Sequence, residues 1–208
     1  MPLDSSLGNK RDKLAARGDD LYETPAVAVH ALMGVERLPR KIWEPACGPG
    51  AIVRVLRDAG HTVYASDLRD YGCPESEAGC DFLLERRAWM GAEAIITNPP
   101  FKLAARFAEK AIGMVPRVYF LLRLAFLEGG NSRSEAGQAR RFALDGGHLA
   151  RVWVFRKRLP MMHRAGWEGR KANSGMAFAW FVWDREHRCD HYEVRRVSWE
   201  DHTPAEAA

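Results

Sequence analysis

The residues best suited to chemistry in this chain are Asn98, Pro99, Pro100 and Phe101, which follow the apolar run AIIT. An amino group on an aromatic ring is a poor nucleophile, because its lone pair is delocalised into the ring. An Asn side-chain oxygen and a neighbouring backbone carbonyl can accept both of its hydrogens and draw the nitrogen toward sp³ character. Two prolines fix the backbone dihedral and so the direction of that carbonyl. The Phe101 ring offers a flat face on which a planar substrate can stack. No strong base is needed, because the nitrogen sheds its proton readily once it becomes cationic. Lys102 follows directly and adds a candidate phosphate contact.

Three segments upstream suit a ligand beside that tetrad. Glu44-Pro45-Ala46-Cys47-Gly48-Pro49-Gly50 separates a strand-like run from a helical one. Its glycines let the backbone approach a ligand, and the helix behind it opens with unpaired N–H groups. A nicotinamide-dinucleotide fingerprint would carry a third glycine where this chain has Val53, which counts against that class. Asp67, followed by Leu68, ends the next strand seventeen residues after Gly50. A carboxylate there can accept from both hydroxyls of a ribose. At Asp81-Phe82 an acid can accept from an adenine amino group while the ring packs on the base.

In order and spacing these segments resemble the class I S-adenosylmethionine-dependent methyltransferases. Within that class they resemble the amino-methyltransferases with an Asn-Pro-Pro-aromatic motif, particularly small phage-type adenine-N6 DNA methyltransferases. The resemblance covers roughly residues 20–125 and includes Tyr22-Glu23-Thr24-Pro25, which is similar to the family's segment for the methionine end of the cofactor. It implies S-adenosylmethionine as cofactor, S-adenosylhomocysteine as product, and the exocyclic N6 amine of adenine in DNA as substrate. Cofactor contacts are then implied for Tyr22, Thr24, Pro25, Glu44, Ala46, Cys47, Gly48, Gly50, Asp67, Leu68, Asp81, Phe82 and Asn98, and catalysis for Asn98, Pro99, Pro100 and Phe101. The same tetrad serves RNA adenine methyltransferases and protein glutamine methyltransferases. The latter usually end it in Tyr and carry a separate helical N-terminal domain. A non-catalytic subunit that grips cofactor and nucleic acid is the alternative from another class.

Restriction-type relatives of that family carry a large target-recognition domain, for which this chain has no room. In its place stands a basic loop at 156–172, containing RKRLPMMHRAGWEGRK. Arg156, Lys157, Arg158, Arg164, Arg170 and Lys171 around Trp167 suit phosphate contacts plus a base or wedge contact. A short or relaxed sequence preference is expected.

The elements that must position these residues alternate between strand and helix patterns. Strands are predicted at 41–45, 62–66, 94–97, 117–122, 150–155 and 176–183, with a weaker one at 192–197. Helices are predicted at 26–33, 51–59, 102–114 and 134–144, the first with Thr24 as cap and Pro25 as its opening residue. On the third, Leu103, Phe107 and Ala111 form one stripe. This alternation predicts an α/β, Rossmann-like fold with a mostly parallel sheet, helices on both faces and a late antiparallel strand pair. Residues 1–20 and 201–208 read as tails around one domain at 21–200.

Composition sets the outer bounds. The chain has 208 residues, 47% of them hydrophobic and 28% charged, enough for one sizeable core and too apolar for a disordered chain. The net charge of +4 is unevenly placed. Between Arg123 and Lys171 eleven basic residues face four acids (Glu128, Glu135, Asp145, Glu168), which leaves the rest of the chain net negative. One face built for an anion follows, with nucleic acid the candidate partner; it is the resemblance that implies DNA over RNA. Cys47, Cys73, Cys80 and Cys189 form no C-x-x-C pair and are expected as free thiols. His187, Cys189 and His191 read as exposed loop residues, and no metal site is expected. The start lacks the apolar centre of a secretory signal. A cytoplasmic monomer or weak dimer is expected, with no membrane partner.

Overall fold

A computed structural model describes residues 23–129, 133–160 and 176–202. Tyr22, Arg164, Trp167, Arg170, Lys171 and both predicted tails beyond residue 202 or before residue 23 lie outside the described residues.

Helix α1 (Ala26–Val35) precedes β1 (Lys41–Glu44), α2 (Ala51–Asp58), β2 (Thr62–Asp67) and the short β3 (Ser76–Ala78). Then come β4 (Ala94–Thr97), α3 (Ala104–Met114), β5 (Arg117–Arg123), α4 (Glu135–Asp145), β6 (Leu149–Phe155), β7 (Phe178–Asp184) and β8 (Glu193–Val197). They form one eight-stranded sheet in the order β3-β2-β1-β4-β5-β7-β6-β8. The first five are parallel neighbours; β7 runs antiparallel to both β5 and β6, and β8 lies parallel to β6 at the edge. The predicted fold class and the antiparallel late pair are both observed.

Alternation along the strands explains the two-faced core. On β5, Tyr119 and Leu121 point to one face and Val118, Phe120 and Leu122 to the other. On β7, Phe178, Trp180 and Val182 alternate with Ala179, Phe181 and Trp183 in the same way. Neighbouring side chains on a strand project to opposite sides, so a run of apolar residues needs cover on both. Helices α1 and α2 supply it through Ala28, Leu32, Ile52 and Leu56 on one face, and α3 and α4 through Phe107, Ala111, Ala139 and Ala143 on the other. Both tryptophans of β7 find polar partners in these layers: Trp180 donates to Ala28 O at 2.8 Å and Trp183 to Ala143 O at 2.6 Å.

Helix α1 is tied to the far half of the sheet. Glu36 accepts from Arg151 Nε and Nη2 at 2.6 and 3.0 Å and from Trp153 Nε1 at 2.7 Å. That clamp fixes the helix, and with it residues 23–25 at the end of the sheet that carries the site.

Three local expectations change. Pro25, not Thr24, holds the capping position of α1, with extended backbone (φ −62°, ψ 137°) and no side-chain cap bond, and Thr24 is buried instead. Helix α3 begins at Ala104, because Pro100 O accepts from Leu103 N–H at 2.8 Å and closes a tight turn first. Leu103 is therefore exposed, while Phe107 and Ala111 are buried as the stripe predicts. Strand β3 has no apolar alternation to announce it and exists through pairing with β2.

Candidate functional site

In a parallel sheet the chain leaves each strand at the same edge, and ligands bind where neighbouring strands send their connections in opposite directions. Here β1 leads to β2 on one side, while β4 lies on the other. The loops after β1 and β4 are 44–50 and 98–101, so the topology brings the two motifs together. Between them lies a cavity of about 470 Å³, lined by Glu44, Ala46, Cys47, Gly48, Asp67, Leu68, Asp81, Phe82 and all of Asn98, Pro99, Pro100 and Phe101, with Thr24 at one end.

The loop after β1 is held by its own backbone and by Asp67. Gly48 (φ 51°) and Gly50 (φ 86°) both adopt left-handed backbone, which glycine takes without a Cβ penalty. A Cβ on Gly50 would lie 2.6 Å from Cys73 Sγ. Gly48 N–H donates to Asp67 Oδ2 at 2.9 Å, Arg69 N–H donates to Oδ1 at 3.1 Å, and Cys47 N–H donates to Ser66 O at 3.1 Å. Asp67 thus fastens the glycine turn while its carboxylate faces the cavity. Burial, and next the charge of Glu44, pushes the Cys47 thiol up from its ordinary value. A protonated thiol is a packing group, not a nucleophile.

Glu44 is 2% exposed and lines the cavity. Burial, then the nearby Asp67 charge, holds its carboxyl well above the usual range, against the opposing effects of the Val53 amide and of Arg54 and Arg57. Its Oε2 is buried without a hydrogen-bond partner among the described residues. Buried polar atoms are ordinarily satisfied, so an orphaned carboxyl oxygen on a cavity wall suits a ligand that brings N–H donors or positive charge.

At the other wall, Phe82 is buried against Trp43 (5.2 Å, edge-on) and Phe107 (4.7 Å). Asp81 Oδ1 accepts from Leu83 N–H at 2.9 Å, which fixes the turn that presents both residues. Phe101 leans on Phe178 (5.9 Å between centroids) and carries the Arg123 guanidinium over its ring at 4.1 Å.

The structure thus gathers most predicted site residues. Pro25 and Gly50 do not line the cavity; they shape the chain on either side of it. Lys102, Arg156, Lys157 and Arg158 are exposed outside it, and Lys157 pairs with Glu200 at 2.6 Å. Sequence reasoning missed Tyr71, Leu103, Arg106 and Phe107 as lining residues. The last three share helical spacing after the tetrad, which could have placed them; Tyr71 lies in an irregular loop with no such signal. His187 Nε2 lies 2.8 Å from His191 O, a local loop contact.

An S-adenosylmethionine-sized ligand fits what is present. The cavity volume lies within the range of about 300–1,000 Å³ common for small-molecule sites. Its wall combines apolar surface with the acids Glu23, Asp67 and Asp81 and the orphaned Glu44 oxygen.

No protein-family model matches the chain, and no curated protein matches it in sequence. In fold it is similar to several solved structures. One is described as a modification subunit of a candidate type I restriction enzyme from Vibrio vulnificus YJ016 (14% identity, TM-score 0.50, covering 87% of this chain and 48% of that one). The present chain therefore spans about half the length of that relative. A second is described as a candidate RNA methyltransferase from Pyrococcus horikoshii (14% identity, TM-score 0.54, 79% and 87% covered). A third is magnesium protoporphyrin IX methyltransferase from Synechocystis PCC 6803 with S-adenosylhomocysteine bound (15% identity, TM-score 0.50, 86% and 94% covered). At such identities the likeness shows a shared methyltransferase fold. The printed descriptions differ in substrate, and a fold by itself carries none.

Proposed function

We propose that the chain is an S-adenosylmethionine-dependent methyltransferase that methylates the exocyclic N6 amine of adenine in DNA. The observation that carries this is the convergence of Asn98–Phe101 with the glycine turn and Asp67 on one cavity at the carboxyl ends of β1, β2 and β4. Adjacent parallel strands bring these loops side by side, and the residue types that meet there are the ones this reaction needs. The neighbours described as methyltransferases, one with S-adenosylhomocysteine bound, support the cofactor.

When bound, the cofactor supplies a methyl group made electrophilic by its sulfonium sulfur. The chain's own residues do the rest. Asp67 would accept from ribose hydroxyls, and Asp81 with Phe82 would receive the cofactor's adenine. The Asn98 side-chain oxygen and the Pro99 carbonyl accept the hydrogens of the target amine, which frees its lone pair and stabilises the positive charge that grows on nitrogen as the C–N bond forms. The amine then loses one proton to water, so no basic side chain is required. Pro99 and Pro100 keep that carbonyl aimed, and the rest of the rate comes from positioning. A duplex substrate must present its adenine unstacked, at a cost of a few kcal/mol.

The test is incubation with methyl-labelled cofactor and matched DNA, RNA and protein substrates, followed by mass spectrometry of nucleosides and amino acids. Label in N6-methyladenine from DNA is expected. Label confined to RNA adenine or to protein glutamine would transfer the reading to those substrates, and cofactor binding without transfer would favour a gripping subunit.

A further inference from the structure

Arg123 ends β5 three residues beyond Phe120, whose strand partner on β4 is Thr97. It therefore reaches the sheet edge beside the loop of the tetrad, and its guanidinium sits 4.1 Å over the Phe101 ring. Phe178, the cross-strand partner of Arg123, packs on the same ring. Several other arginines around the sheet find acceptors: Arg106, Arg117 and Arg151 have Glu135, Asp184 and Glu36 within 4 Å, and Arg140 and Arg185 donate to backbone carbonyls. Arg123 has no such carboxylate among the described residues, and its Nε is buried with no hydrogen-bond partner.

An aromatic face offsets only part of a guanidinium's charge, and a buried N–H without an acceptor is a standing cost. Both point to an anion that arrives from outside. The charge arithmetic of the reaction says the same. The target nitrogen becomes positive as it is methylated, so an unneutralised cation beside the tetrad would oppose that step. Nucleic acid brings one phosphate with every nucleotide, and the planar fork of Arg matches phosphate with two parallel hydrogen bonds. Phe101 lines the cavity and Arg123 does not, so the guanidinium stands outside, where the backbone of an inserted nucleotide would run. Resting on the proposed nucleic-acid substrate, we propose that Arg123 binds a backbone phosphate flanking the target adenine and that Phe101 serves as its platform.

The experiment uses the full chain and an oligodeoxynucleotide carrying an adenine found to be methylated. Arg123→Gln and Arg123→Lys are compared with the parent on this DNA and on versions with a neutral methylphosphonate 5′ or 3′ of that adenine. Arg123→Gln is expected to raise KM about tenfold with unchanged cofactor affinity and melting temperature, and to reduce the slope of log affinity against log salt by about one. One of the two methylphosphonates should cost the parent a similar factor and cost Arg123→Gln nothing more, since both changes remove the same contact. Arg123→Lys should restore the salt slope. Multiplying losses from variant and methylphosphonate, or a fallen kcat with KM and salt slope unchanged, would overturn the proposal and leave Arg123 as a prop for Phe101. A parent chain that methylates no nucleic acid would overturn the proposed substrate itself, and this role with it.

Discussion

Replacing Glu44 by Gln is expected to flatten the pH dependence of stability. Glu44 is buried, and burial followed by the Asp67 charge holds its proton well above the ordinary value of 4.5. Below pH 4.5 the folded and unfolded chains both carry that proton, and its contribution to stability is fully present. Above it the unfolded chain releases the proton while the folded chain keeps it. Stability is then lost at about 1.4 kcal/mol per pH unit until the folded carboxyl itself ionises. Gln has the same shape and does not titrate, its oxygen can still accept from the Val53 amide, and its second polar position replaces an oxygen with no partner among the described residues. Parent and variant should therefore coincide in acid and diverge as pH rises, with Gln the more stable. Urea unfolding at fixed salt, stepped from about pH 4.5 to 7.5, reads this directly from the midpoints. Parallel curves, or a parent that gains on the variant with rising pH, would refute the account. Asp67→Asn, which removes the second cause, should narrow the divergent window from its upper end.

Asn98→Ala is expected to lower turnover by about 100-fold or more, the usual effect of deleting a hydrogen bond made in the transition state, while cofactor binding, read by calorimetry, survives. Asp67→Ala should weaken cofactor binding by about tenfold or more, as expected for loss of a charged hydrogen-bond acceptor, and titration calorimetry would show it. Gly50→Ala, with φ 86° and a Cβ 2.6 Å from Cys73 Sγ, should destabilise the chain by about 1–3 kcal/mol. Gly60→Ala, at φ 88° with open space around it, carries the backbone cost without the clash, and the difference in melting temperature isolates the contact.

Much of the fold was legible because it rests on short-range signals. The run RVYFLL and its counterpart AWFVW have apolar residues at every position, which only a strand covered on both faces can bury. The turns CGPG and NPPF mark where those strands stop. Less legible were features created by partners distant in sequence. Strand β3 has no pattern of its own; its backbone is satisfied by β2. The Glu36 clamp on Arg151 and Trp153 spans more than 110 residues and involves types that usually face water. Of the site, the acids and the tetrad could be read because their chemistry is fixed by residue type. Thr24 was assigned to a helix cap for the same reason, and Pro25 displaced it because a proline with extended backbone already fills that position. Arg123 could not be read at all: an arginine at a strand end is ordinary, and only its place over the Phe101 ring, with a buried Nε that has no acceptor among the described residues, sets it apart.

If the proposed function holds, strand order accounts for how two ligands of opposite charge can share one edge. Along the sheet the sequence is β2, β1, β4, β5, which sets out Asp67, Glu44, Asn98 and Arg123 in that order. Neighbouring strands lie about 4.8 Å apart, so acids and cation stand on opposite flanks of the tetrad, roughly 15 Å from end to end. A ligand bearing positive charge is drawn toward β1 and β2, and Glu44 can give up its proton as that charge arrives. A polyanion is drawn toward β5. The two then approach each other over β4, where Asn98 and its prolines stand. On this layout a charge reversal on either flank should impair one ligand and spare the other: Asp67→Lys should weaken the cofactor, and Arg123→Glu the nucleic acid. Equal loss of both ligands in either variant would show that the edge does not sort them by charge.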